Sequence, residues 1–203
     1  MDARIVFVDC GGHCGCSCRY FLQQHSGREI EVHSFEPTPA LWPHYSDLPV
    51  TLHKAAAWID ESPRDFYMST TEFLEGGSLD ANKTTGGLNR TPVQVECIDL
   101  SKWLLERYES WGDSEIHLKL DCEGAEYPLL EKLIETNALQ RINRLYVDWH
   151  WHKIGMPQAA HEDMLRKLIL NKKHFETWPE IFTPEYCKLT PQVRYKLVKK
   201  QAI

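Results

Sequence analysis

Acidic and imidazole side chains gather at two places in the second half of the chain. Residues 117–126 read His-Leu-Lys-Leu-Asp-Cys-Glu-Gly-Ala-Glu. Side chains alternate across an extended strand, so Lys119, Asp121 and, where the extended geometry persists, Glu123 share one side. Residues 145–152 read Leu-Tyr-Val-Asp-Trp-His-Trp-His, and the same parity groups Asp148, His150 and His152. Charges at a strand's C-terminal end are costly unless paired or used, and open α/β sheets bind ligands at that edge. His150, an imidazole that titrates in the working pH range, suits a general base beside Asp121. Carboxylates and imidazoles of this kind, Asp121 and Asp148 foremost, equally suit a divalent ion such as Mg or Mn that acidifies a substrate hydroxyl. The residues alone leave both chemistries open. Trp149 and Trp151 fall on the opposite parity and read as packing residues.

A third stretch supplies a ligand cradle. Residues 5–8 are an apolar run that ends in Asp9 and turns through Cys10-Gly11-Gly12-His13-Cys14-Gly15 into a helix-forming segment. That is a strand, a tight loop and a helix start, the layout that holds nucleotide-like ligands in α/β proteins. A second apolar run, residues 30–35, reaches Glu36-Pro37, and Glu36 lies 21 residues past Gly15. In such folds an acid there accepts hydrogen bonds from ribose hydroxyls.

These groups need elements to carry them. Strands are expected at residues 5–8, 30–35, 50–58, 116–120 and 145–149, with helices after Gly15 and over 100–108, 126–137 and 158–172. Asp99 is the expected N-cap of the second of these helices. Residues 65–69 and 92–97 read as an antiparallel pair bracketing the Gly-rich loop 75–89, which is long enough to be a flap over the site. Residues 175–178 and 193–198 fit an antiparallel edge hairpin. Strands alternating with helices give an α/β fold with a parallel sheet, organised as one domain over 1–203.

Hydrophobic residues make up 42% of the 203 and charged residues 26%, which selects a globular chain over a disordered one. A net charge of −6 gives no field for nucleic acid or an anionic membrane. No apolar run approaches the roughly 18 residues of a membrane span, and no signal peptide opens the sequence, so a cytoplasmic setting is expected. Seven cysteines, four of them at positions 10, 14, 16 and 18, lack paired zinc spacing and read as small packing residues. The first core strand begins within five residues of Met1, as expected of a domain cut from a longer polypeptide.

Assembled, these features resemble the FkbM family of S-adenosylmethionine-dependent O-methyltransferases. The resemblance rests on Val8-Asp9-Cys10-Gly11-Gly12-His13-Cys14-Gly15, on Phe35-Glu36-Pro37 and, most specifically, on Lys119-Leu120-Asp121-Cys122-Glu123-Gly124-Ala125-Glu126. It implies a class I methyltransferase, a Rossmann-like three-layer sandwich whose seven-stranded, mostly parallel sheet ends in an antiparallel strand, here with an extra hairpin after the third strand. It implies S-adenosylmethionine as cofactor, held by Asp9, the loop Gly11, Gly12, His13, Cys14 and Gly15, and Glu36 on the ribose. Ala57 and Trp58 would lie near the adenine and Ser78 near the methionine end. His13 and Cys14 depart from the family's smaller residue and Asn. The implied substrate is a hydroxyl of a sugar, glycan or other secondary metabolite. Asp121 and His150 would take its proton, and Glu123 and His152 would orient it. A glycosyltransferase fused in a parent chain would fit such a role.

Three rivals are weaker. A dinucleotide-binding oxidoreductase asks for glycines at relative positions 1, 3 and 6, and Cys10 occupies the first. A base-flipping methyltransferase would carry Asp/Asn-Pro-Pro-aromatic where this chain has Asp121-Cys122-Glu123-Gly124. A non-catalytic binding module would have no use for the acid and histidine rim.

Overall fold

A computed structural model describes residues 3–178 except Gly86 and Lys172. The chain runs β1 (Ile5–Cys10), α1 (Cys16–Gln24), β2 (Ile30–Phe35), β3 (Thr51–His53), β4 (Ala56–Trp58), β5 (Arg64–Phe66), β6 (Val93–Val95), β7 (Cys97–Asp99) and α2 (Leu100–Trp111). It continues as β8 (Glu115–Leu120), α3 (Glu126–Glu135), β9 (Arg144–Val147), α4 (Gln158–Leu170) and β10 (Phe175–Glu176), with 3-10 turns at Pro39–Tyr45 and Ala138–Arg141.

The central sheet has the order β10-β9-β8-β1-β2-β3, and its pairings are parallel. From β1 the chain builds outward through β2 and β3, then returns to β8 on the other side. The switch point therefore falls between β1 and β8, and their C-terminal ends open a crevice there.

Every residue of β1 is buried, as a central parallel strand covered on both faces requires. Val6, Val8 and Cys10 join the main core with Leu100 and Leu104 of α2 and Leu129, Leu130 and Leu133 of α3. Ile5 and Phe7 face the opposite way, where Phe7 stacks on Phe21 of α1 with ring centroids 3.9 Å apart. Helices thus cover both faces of the sheet. Asp99 caps α2 by accepting a hydrogen bond from the Lys102 amide at 3.0 Å. Among the described residues, no helix is long and apolar enough to cross a membrane.

One expectation is corrected, and another lies outside the described residues. The sheet has six strands among the described residues, and residues 193–198, expected as the antiparallel last strand, lie outside them. Residues 175–178 were expected in a hairpin with that strand, so that pairing also falls outside the described residues; on its described edge β10 pairs parallel with β9. The expected third strand breaks in two: β3 stays in the main sheet while β4 leaves it to pair with β7. Small side chains explain the departure, since Ala56 and Ala57 carry the chain along the wall of the crevice with little bulk. The expected hairpin is present as β5 and β6, with isolated bridges Tyr67–Ser78 and Ser69–Leu88 drawing the long loop back over the sheet edge.

Leu130 is 0% exposed in the core beneath β8. Leu130→Ala is expected to lower stability by about 2–5 kcal/mol in urea denaturation, the cost of lost burial plus a residual cavity. An unchanged midpoint would contradict that packing.

Candidate active site

The parallel register places Asp9 of β1 beside Lys119 of β8, both on the α1 side of the sheet. Lys119 Nζ lies 3.0 Å from Asp9 Oδ1 and 3.1 Å from Asp121 Oδ2, and its side chain is 1% exposed. Burial alone would push this ammonium's pKa down, but the Asp121 and Asp9 carboxylates outweigh it and hold the pKa well above the ordinary lysine value. The other oxygen of Asp9 accepts from the Cys18 thiol at 3.3 Å. Burial, then Asp9, pushes that thiol's pKa well up and keeps it neutral. Asp9 itself is fully buried and stands behind the site.

Above this pair the loop turns at Gly11, where φ is +83° and an added Cβ would lie 1.9 Å from the Asp121 carbonyl oxygen. Only glycine permits that approach. Gly11 and Gly12 amides both donate to the Phe35 carbonyl, at 3.1 and 3.2 Å, which ties the loop to the end of β2. Glu36 then receives the His13 amide at 2.8 Å and the Thr38 amide at 2.7 Å. Burial dominates those two donors and pushes the Glu36 pKa up to about 7. The His13 ring donates from Nε2 to the Phe73 carbonyl at 2.7 Å.

The second charged group assembles after β8 and β9. Glu126, at the start of α3, is completely buried; it accepts from the Cys122 amide at 2.7 Å, the Gly124 amide at 3.0 Å and His150 Nδ1 at 2.9 Å. With Nδ1 so held, His150 turns Nε2 toward Asp148 Oδ2 at 3.4 Å, Glu123 Oε1 at 3.7 Å and Asp121 Oδ1 at 3.8 Å. Burial would lower the His150 pKa, but hydrogen bonds to Asp148 and Glu126 and the nearby charges raise it to about 10. His150 is therefore an imidazolium at neutral pH, a base only once that proton has left. One donor atom each from Asp121, Glu123 and His150 lies within 4.8 Å of the others, a spacing that suits a divalent ion. Asp148, expected with Asp121 as the ligand pair, adjoins this set.

A cavity of about 460 Å³ connects the two groups. Glu36, Pro37 and Ala57 wall one end, Gly11 and His13 the middle, and Asp121, Glu123 and Asp148 the other end, under Gly76, Gly77, Leu79 and Lys83 from the long loop. The expected site residues divide accordingly. Gly11, His13, Glu36, Ala57, Asp121, Glu123 and Asp148 line the cavity, and His150 is buried behind its acidic end. Gly12, Cys14 and Gly15 are buried within the loop, and Trp58 packs its ring against the Arg64 guanidinium. Ser78 is buried with its hydroxyl given to the Glu123 carbonyl at 2.8 Å.

Strand parity fails at two positions. Glu123 has φ +51° and reaches the cluster through a left-handed turn, not by alternation. The chain turns at residues 151–155, so His152 is exposed and rests its ring against Trp151, apart from Asp148 and His150. Trp149 and Trp151 pack beside His161 of α4. Three participants were not assigned beforehand. Glu126 was visible as the last residue of the 119–126 stretch, whereas Lys83 and Lys153 sit in polar loops without periodicity.

Replacing Lys119 by Met keeps the stem and removes the charge that Asp9 and Asp121 share. Lys119→Met is expected to cost about 3–5 kcal/mol of unfolding free energy, because Asp9 is left buried without a counter-charge. Chemical denaturation at neutral pH reads this out, and a stability equal to wild type would contradict it.

Residues 9–176 match the family model of the methyltransferase FkbM domain. Among solved structures, methyltransferase FkbM from Methylobacillus flagellatus KT aligns at 15% identity with a TM-score of 0.49, over 85% of this chain and 39% of that one. This chain thus spans about two fifths of that neighbour's length. No curated protein matches. With the family model covering residues 9–176, the chain belongs to the FkbM methyltransferase family.

Proposed function

We propose that the chain transfers a methyl group from S-adenosylmethionine to a hydroxyl of a sugar or glycan. The observation that carries this reading is the single cavity joining a buried Glu36 to the Asp121–His150 cluster across the sheet's switch point. Its residues fit the cofactor. Glu36 faces the cavity with a carboxylate for ribose hydroxyls, Ala57 leaves room for a flat base, and the Gly11 backbone allows close approach. Bound there, the cofactor supplies a methyl group on a positively charged sulfur. The chain must then hold an acceptor oxygen in line and take its proton.

His150 Nε2 takes that proton, with Asp121 beside it and Glu126 fixing the ring through Nδ1. Since His150 starts protonated, its basic form grows as pH rises toward about 10, and the rate of methyl transfer rises with it. A second reading is favoured by the clustering of Asp121, Glu123 and His150 donors. A divalent ion held there would acidify the acceptor hydroxyl and would need His150 neutral.

Asp121→Ala and His150→Ala are each expected to abolish methyl transfer in an assay against a monosaccharide panel, while calorimetric binding of S-adenosylhomocysteine persists. Near wild-type turnover in both would overturn the assignment. Exhaustive chelation followed by Mg or Mn separates the two readings. Loss and recovery of activity selects the ion, whereas an indifferent rate that climbs toward pH 10 selects the His150 base.

Glu36→Ala is expected to weaken S-adenosylhomocysteine binding by about 1–3 kcal/mol, the worth of charge-assisted hydrogen bonds. Because the carboxylate is the accepting form, wild-type affinity should also fall as pH drops through about 7, a dependence Glu36→Ala lacks. Calorimetry between pH 5.5 and 8.5, on the order of one and a half units to either side, checks both.

A further inference from the structure

Lys83 lies in a polar loop, yet its side chain is 1% exposed. Lysines in loops keep the ammonium in water unless a fixed acceptor receives it. Here the ammonium donates to the Gly76 carbonyl and lies 3.0 Å from Glu123 Oε2. Gly76 has φ +87°, and a Cβ there would come within 2.6 Å of Lys83 Nζ, so the loop is shaped around this contact.

Glu123 gathers more of the same loop. Its carbonyl accepts the Ser78 hydroxyl at 2.8 Å, and its two carboxylate oxygens each lie 3.2 Å from Lys153 Nζ. Lys153 closes the ring from the other side, since its carbonyl accepts the Thr84 amide at 2.8 Å and the Thr84 hydroxyl at 3.0 Å. Residues 76–85 are thereby fastened to the turns that follow β8 and β9, and Gly76, Gly77, Leu79 and Lys83 among them line the cavity.

We propose that the Glu123–Lys83 ion pair, with Ser78 and Lys153 around it, is a latch that holds residues 76–85 over the acidic end of the cavity, and that Lys83 is a positioning residue for the reaction. The role in the reaction rests on the proposed methyl transfer; the latch itself does not. Glu123 is then committed to closing the site, not to gripping the acceptor.

Hydrogen–deuterium exchange on the full chain reads the latch without any substrate. Lys83→Met, which keeps the apolar stem, and Glu123→Gln should each speed amide exchange in residues 76–85 by roughly tenfold or more, leaving β1 and β8 at wild-type rates. Lys83→Arg should keep the slow exchange. If Lys83→Met does not fold, Ser78→Ala tests the same latch through the Glu123 carbonyl. Unchanged exchange in 76–85 for the folded variants overturns the proposal, as does acceleration spread equally over β1 and β8. With a working acceptor, Lys83→Met should raise KM by roughly tenfold with a smaller change in kcat, and Lys83→Arg should restore it. Absence of turnover in the wild type would count against the methyl-transfer reading, and the exchange rates would still decide the latch.

Discussion

The site depends on one ammonium placed where water cannot reach it. Lys119 sits at the C-terminal end of β8 with both neighbours acidic, Asp9 across the β1 register and Asp121 two residues on. Stripping an ammonium of water is expensive, and a single carboxylate would leave more of its three N–H donors without an acceptor; two carboxylates in contact balance the charge and fix its direction. The triad therefore specifies geometry more than it adds stability. It locks β1 and β8 in register and hands one Asp121 oxygen to Lys119, which leaves the other facing His150 at 3.8 Å. The Gly11 turn, with no space for a Cβ against the Asp121 carbonyl, makes this contact possible.

From Lys119 outward, charges alternate in sign: Asp121, then His150 with Glu126 behind it, then Glu123 with Lys83 and Lys153. Each buried group offsets the desolvation of the next. Two glutamates in one cavity show what happens with and without such a neighbour. Burial pulls both upward, but His150, Lys153 and Lys83 reverse it for Glu123 and hold its pKa below the ordinary value. Among the described residues Glu36 has no cation beside it and only neutral hydrogen-bond donors, from Thr38 and the His13 amide, as relief, so burial prevails and its pKa reaches about 7. The cavity thus has one end where cations hold its glutamate below the ordinary value and one end where burial brings its glutamate to about 7.

Much of this was legible in the sequence where a period or a turn signal was strong. Residues 30–35 form β2 as read, and strand alternation correctly joined Lys119 to Asp121, while β8 and β9 as neighbours brought Asp148 and His150 to the same rim. Alternation ends where the backbone leaves the extended region. Glu123 therefore arrives by a left-handed residue and His152 is carried off by a turn, neither of which a period-two pattern contains. The run 50–58 hid a break because nothing in its apolar, alanine-rich pattern separates the part that pairs with β2 from the part that pairs with β7. Lys83 was illegible for a different reason: its burial is decided by Glu123, forty residues away in sequence, and by no local preference. Of the four crowded cysteines read as packing residues, those at positions 10, 14 and 18 are buried and free, whereas Cys16 is disulfide-bonded and so corrects that reading at its position.

The proposed reaction begins with a positive sulfur and a neutral hydroxyl and ends with two neutral groups and one proton, so each turnover needs an outlet for that proton. Of the groups around His150 Nε2, Glu126 on the far nitrogen is sealed, Glu123 is held by two lysines, and Asp121 is held by Lys119. Asp148 differs from all three. Its side chain is 51% exposed and lies 3.4 Å from Nε2, and its hydrogen bond to His150 holds its pKa below the ordinary carboxylate range. A carboxylate so placed keeps a proton only briefly and passes it to water. On the proposed reaction, the same contact that raises the His150 pKa also gives its proton a half-exposed carboxylate to leave through.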